Sequence, residues 1–183
     1  MGWFGFNAGA GLSVSGVMTQ ALANTGIASC TAGLVWIILE EFIHQKITAL
    51  GLMTGILAGL VGITPGAGFG DTNAAFVIGV TTPIICFFFI SYVKSYFGYD
   101  DSLDAFGCHG MGGVWGALMT GIFCTKVVNS AGADGLLYGN PEQMIPQITG
   151  IVVGMVVAVV MTAAILKVLY DRACYAIGRS PGT

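Results

Sequence analysis

The chain has 183 residues, of which 55% are hydrophobic and only 8% charged, and its net charge is −3. A soluble domain carries roughly 25% charged residues. Too little polar surface is present to clothe a water-soluble core, so lipid must be part of the solvent, and nothing in the charge pattern points to nucleic acid.

No Asp, Glu, Lys or Arg occurs before Glu40. Later charge-free runs lie between Lys46 and Asp71, Asp71 and Lys94, Asp104 and Lys126, and Glu142 and Lys167. A spanning helix needs about 20 mainly apolar residues. Each later run fits one helix, and the opening run fits two. The turn-prone stretch Thr19-Gln20-Ala21-Leu22-Ala23-Asn24-Thr25-Gly26 is the expected divider of that opening run. About six transmembrane helices are predicted, over 2–18, 24–44, 48–65, 72–97, 102–125 and 143–172. The fold class is all-α integral membrane.

Met1 is followed directly by apolar sequence with no basic segment, which argues against a signal peptide. The first predicted helix is short for a span, and the chain reads as starting inside a helix. It is expected to be a piece of a longer membrane protein or a truncated form. Alternate assignment of loops puts Lys46, Lys94, Lys167, Arg172 and Arg179 on one side and Lys126 on the other. Cytoplasmic loops are enriched in Lys and Arg, so both termini are expected to be cytoplasmic.

The glycines recur in small-xxx-small pairs: Gly5 and Gly9, Gly51 with Gly55 and Gly59, Gly112 and Gly116, Gly150 and Gly154. Such residues let helix backbones approach closely in lipid. They predict a tightly packed bundle and specify no function. Cys30, Cys86, Cys108, Cys124 and Cys174 show no CxxC spacing. They read as small buried hydrophobes, without a disulfide framework or structural metal.

Chemistry concentrates between Asp100 and Gly116. Asp100, Asp101, Ser102 and Asp104 precede a helix, where capping and loop anchoring are the expected roles, with cation attraction or partner contact as the alternative. His109 lies within an apolar helix, with no charged residue among the four positions on either side. Ionisable residues inside membrane helices face the bundle interior or a water-lined path. On an α-helix His109 shares a face with Ala105, Gly112, Gly113 and Gly116, a surface bare of bulk. That face could admit a neighbouring helix or form one wall of a narrow conduit. A neutral imidazole offers one donor and one acceptor, suited to a small polar molecule or a proton. A bond to a neighbouring backbone carbonyl is the competing role. A redox or metal protein using Cys108 and His109 is a further possibility, but adjacent helical side chains diverge and no second ligand pair is present. His44, near Glu40, Glu41 and Lys46, reads as an interfacial residue.

The run from Asp101 to Gly121, DSLDAFGCHGMGGVWGALMTG, resembles the signature of the ammonium transporter (Amt/Rh) family, in its Amt branch. Gly2-Trp3-Phe4-Gly5-Phe6-Asn7-Ala8-Gly9 resembles the family's sixth helix. Asn24-Thr25 and the segment around Trp36 with Glu40-Glu41 resemble the seventh. Gly59-Leu60-Val61-Gly62-Ile63-Thr64-Pro65-Gly66-Ala67-Gly68 resembles the eighth. These segments keep the family's order.

The resemblance implies helices six to eleven of an eleven-helix fold: the second inverted repeat plus the final helix. Residues 1–173 would form that C-terminal half, and 174–183 a short cytoplasmic tail. It implies a non-enzymatic protein of the cell membrane that conducts ammonium as ammonia through a hydrophobic pore, with no cofactor or metal. His109 matches the second of two facing pore histidines. Phe6 matches an outer gating aromatic, Trp3 supports it from the same motif, and Ala105 and Gly113 line the same wall. The other pore His, the second gating Phe and the recruiting Trp belong to the family's helices one to five. One wall alone could not close a pore, so the alternative is a truncated, non-conducting membrane fragment. A homotrimer in full-length form and a PII-type regulator are further implications. Ala10 stands where many members carry a Ser, and the tail after Arg172 differs from the family's conserved one.

Overall fold

The computed structural model describes residues 1–176, with side chains through residue 172. Among the described residues the main helices are, in order, α1 (Gly2–Gly9), α2 (Gly16–His44), α3 (Ala49–Ile63), α4 (Thr72–Phe97), α5 (106–123) and α6 (Met144–Ala176). No strand occurs among the described residues. By length and composition, Gly16–His44, Thr72–Phe97 and Pro141–Arg172 can each cross a membrane. The expected tail over 174–183 lies outside the described residues from position 177 onward.

The chain divides into two compact units. The first, Met1–Gln147, is the bundle of α1 to α5 with the loops beyond it. The second, from Ile148, is the remainder of α6, an uninterrupted apolar helix.

Local chemistry explains where the helices start. Ser15, Thr48 and Asp71 are extended N-cap residues whose side chains accept from Met18 N, Gly51 N and Ala74 N. Each satisfies a backbone donor that a helix start would otherwise leave orphaned. Glu40 adds a second tie at α3. Its buried carboxylate accepts from Thr48 N at 2.9 Å and from Thr48 Oγ1 at 3.0 Å, joining the end of α2 to the start of α3.

One predicted boundary is corrected. The break in the opening run falls at residues 10–15, not at 19–26, and the polar stretch lies inside α2. The chain turns there through Leu12, which takes a left-handed φ of 52°. The polar side chains do not break the helix because the bundle satisfies them. Asn24 Nδ2 donates to the carbonyls of Ala67, at 2.9 Å, and Gly70, at 2.8 Å. Gln20 Nε2 donates to Asn24 Oδ1 at 2.9 Å. Thr25 Oγ1 donates to Ala21 O and accepts from Asn7 Nδ2. Residues that signal a turn in water act here as ties between α1, α2 and the loop after α3.

Glycine governs how closely the helices meet. A Cβ at Gly55 would strike Trp36, one at Gly59 the Ala28 carbonyl, and one at Gly116 the Gly62 carbonyl. The core around these crossings is built of small side chains, with Ala21, Ala28, Ala67 and Ala75 packed against Ile63, Ile78 and Met119. The other half of the glycine pattern behaves differently: a Cβ on Gly5 or Gly9 meets nothing within 4 Å.

Replacing Asn24 with Leu leaves two buried carbonyls unpaired. Asn24→Leu is expected to cost about 2–4 kcal/mol, read as a lowered thermal midpoint in detergent or nanodiscs. A midpoint equal to the parent chain's would show that the Asn24 bonds do not hold the bundle.

Candidate functional site

α5 carries the signature run, and its geometry is not that of a plain α-helix. Phe106–Met111 forms a π-helical turn that passes directly into the α-helix Gly112–Phe123. A second π turn, Phe89–Val93, interrupts α4, and Gly107 packs against Ile90 where the two meet. A π turn accommodates an extra residue and shifts the register of the helix beyond it.

That shift divides the face expected for His109. Gly112 turns inward onto Cys86, Val61 and Thr82, and Gly116 turns onto Gly62. Ala105 and His109 stay exposed, and a Cβ at Gly113 would meet nothing within 4 Å. A single α-helical face was expected to do one of two things. The structure separates them: one side admits neighbouring helices, and the other is an open wall bearing the histidine. Cys108 and His109 also diverge. Cys108 is 1% exposed, in a cluster with Trp36, Ala58, Cys86 and Phe87.

α1 supplies the rest of the open wall. The Trp3 indole stacks on the His109 imidazole, with ring centroids 6.2 Å apart and planes 27° from parallel. Phe6 meets the same indole edge-on at 6.4 Å and is 66% exposed. Trp3, Phe6 and His109 thus form one aromatic group drawn from two helices distant in sequence. Phe6 and Ala10 also border a cleft of about 320 Å³, with Asn7, Met18, Thr64 and Phe69 among its lining residues. His44, at the end of α2, packs near the Phe87 ring at 5.5 Å.

The four polar residues before α5 do unequal work. Asp101 caps the helix with both oxygens, accepting from Ala105 N and Phe106 N at 2.9 Å each. Asp104 takes a left-handed φ of 54° and turns its carboxylate to Lys94 Nζ at 2.7 Å. Lys94 donates also to the Asp101 carbonyl at 2.5 Å. The end of α4 is thereby clasped to the start of α5. Ser102 is an exposed turn residue, and Asp100 borders an open recess with Tyr99 and Phe106.

Sequence reasoning missed Thr64 and Thr81. Trp3 Nε1 donates to Thr64 Oγ1 at 2.7 Å, and Trp115 Nε1 donates to Thr81 Oγ1 at 2.9 Å. A threonine in an apolar helix gives no sign that an indole far along the chain will seek it.

Residues 1–172 match the model of the ammonium transporter family. The chain belongs to that family. An ammonium transporter of Bacillus subtilis is 46% identical over 168 residues, covering 92% of this chain and 42% of the relative. An Aquifex aeolicus ammonium transporter is 44% identical, covering 92% of this chain and 39% of the relative. The crystal structure of Saccharomyces cerevisiae Mep2 superposes with a TM-score of 0.86 at 35% identity, covering 91% of this chain and 41% of Mep2. The chain therefore spans about two fifths of the length of these relatives. The relatives are transport proteins rather than enzymes. Family and apolar helices together make this a multi-pass membrane protein.

Asp101→Ala frees two backbone donors at the start of the helix that carries His109. The expected cost is about 1–2 kcal/mol, with roughly half of it recovered by Asp101→Asn. Hydrogen exchange at Ala105 to Cys108 should quicken in step. Unchanged exchange at those amides would remove Asp101 as the cap.

Proposed function

We propose that this chain supplies one wall of an ammonium-conducting path, with His109 as the pore histidine. The observation that carries the reading is the imidazole of His109, stacked on Trp3 and exposed on the open face of the bundle, in a member of the ammonium transporter family. By its match to the family's gating aromatic we assign the exposed Phe6 to the outer end of that wall, and exposed Ala105 and open Gly113 leave room along it.

The physical logic is differential desolvation. Stripping water from a cation costs far more than stripping it from a neutral molecule. An apolar passage therefore rejects bare K⁺ and Na⁺, while an imidazole offers ammonia one donor and one acceptor. The exposed Phe6 face can hold ammonium before deprotonation by cation–π attraction. The facing wall, with a second histidine, belongs to the half of the fold that this chain does not match. By the same family membership we assign a cell-membrane location with cytoplasmic termini, a homotrimeric assembly of the full-length form, and a PII-type protein as candidate regulator. No cofactor enters this reading.

The test is methylammonium uptake in cells without their own ammonium transporters. The chain would be expressed alone, or together with a five-helix half taken from the Bacillus subtilis relative. Uptake is expected only in the combination and should fall about tenfold or more with His109→Ala. Robust uptake by the chain alone, abolished by His109→Ala, would overturn the one-wall reading. No uptake in any arm would favour the second reading, a non-conducting membrane segment.

Gly113 provides a separate check, because side-chain space beside it is open. Gly113→Leu should leave the thermal midpoint of the bundle unchanged and lower uptake about tenfold. Equal loss of stability and uptake would place Gly113 in packing, not in the path.

A further inference from the structure

Thr64 caps the C-terminal end of α3, and its hydroxyl has one partner on that helix and one outside it. Its oxygen donates to the Leu60 carbonyl at 2.7 Å and accepts from Trp3 Nε1 at 2.7 Å. The hydroxyl's one proton and one of its two lone pairs are thus used, and the proton direction is settled. The Leu60 carbonyl accepts the hydroxyl's hydrogen bond, so it is a lone pair that faces the indole. An indole N–H is a donor only, and a hydrogen bond to a fixed acceptor orients the whole ring plane. That plane is the surface on which His109 stacks, at 6.2 Å and 27°.

We propose that Thr64 is a positioning residue for His109, acting through Trp3. The proposal deepens the reading of His109 as a pore histidine and rests on it. α3 sets the Thr64 oxygen, the oxygen sets the indole, and the indole sets the imidazole plane. His109 needs such a support because its own helix gives little. The residues beside it on the open wall are Ala105 and Gly113, which present no bulk against the ring. An imidazole free to rotate would turn its nitrogens away from the path for part of the time. A stacked pair with centroids 4.5–7 Å apart contributes about 0.5–1.5 kcal/mol, enough to select one rotamer. Trp36, the deepest tryptophan, has a buried Nε1 with no hydrogen-bond partner and still packs edge-on against Phe87. The Trp3 N–H, by contrast, is held by Thr64, and that bond fixes the direction in which its ring faces.

The experiment uses the chain assembled with its facing half in lipid nanodiscs, labelled at histidine. The chain contains only two histidines, so His44, which neighbours Phe87, is an internal reference. In Thr64→Val the His109 ring signals should lose the ring-current shift of the Trp3 face and broaden, while His44 stays in place. Thr64→Ser, which keeps the acceptor, should leave both rings as in the parent. Methylammonium uptake should fall about threefold to tenfold in Thr64→Val and recover in Thr64→Ser. If Thr64→Val does not fold, Trp3→Phe removes the N–H donor from the other side and should give the same loss of uptake. Where both variants fold, the double variant should be no worse than either alone, as residues acting through one bond are not additive. An unmoved His109 ring in Thr64→Val, or additive losses in the double variant, would overturn the proposal. A ring that responds to Thr64→Val in an assembly with no uptake would instead support the positioning and overturn the transport reading.

Discussion

Lipid tails are as apolar as leucine, so no hydrophobic force draws one membrane helix to another. The bundle must instead be held by close backbone approach and by hydrogen bonds between groups that have no water to turn to. The contact of Gly116 with the Gly62 carbonyl shows the first, and Asn24 bonded to the Ala67 and Gly70 carbonyls shows the second. Everything else depends on these two devices. They bring α1, α3 and α5 close enough for side chains from three separate segments to share one small site.

The site itself is made by a change of helical register. In a plain α-helix, His109 and the glycines after it would share one face, and that face would have to choose between packing and lining. The π turn at Phe106–Met111 removes the conflict. Gly112 and Gly116 go to the neighbours, and His109 goes to the open wall. The turn is held in place from below by Asp101, which caps its first amides, and by Lys94, which ties Asp104 and the Asp101 carbonyl to the end of α4. From the side it meets Trp3. His109 is therefore placed on this wall by backbone geometry, with the Trp3 indole stacked on its ring.

The family relationship gives this arrangement its meaning, because fold alone does not imply function. A family match over residues 1–172 and a bundle superposing on Mep2 with a TM-score of 0.86 establish the family and its fold. The proposed path rests on that membership together with the exposed His109 imidazole stacked on Trp3.

Membrane character, helix number and the signature run were legible in the sequence by itself, for a physical reason. Charges are too costly inside lipid to be placed casually, so the gaps between them mark the helices, and a rare histidine within one stands out. The sequence also located the aromatic motif of Trp3 and Phe6. Tertiary structure alone decided three matters. It moved the first break to residues 10–15, because the polar side chains of 19–26 found partners within the bundle and had no need of a turn. It separated Gly112 and Gly116 from His109, because a π turn depends on what packs against it, here Ile90 on Gly107. And it joined Thr64 to Trp3 across 61 positions, a pairing that depends on where two helices end in space and leaves no local pattern.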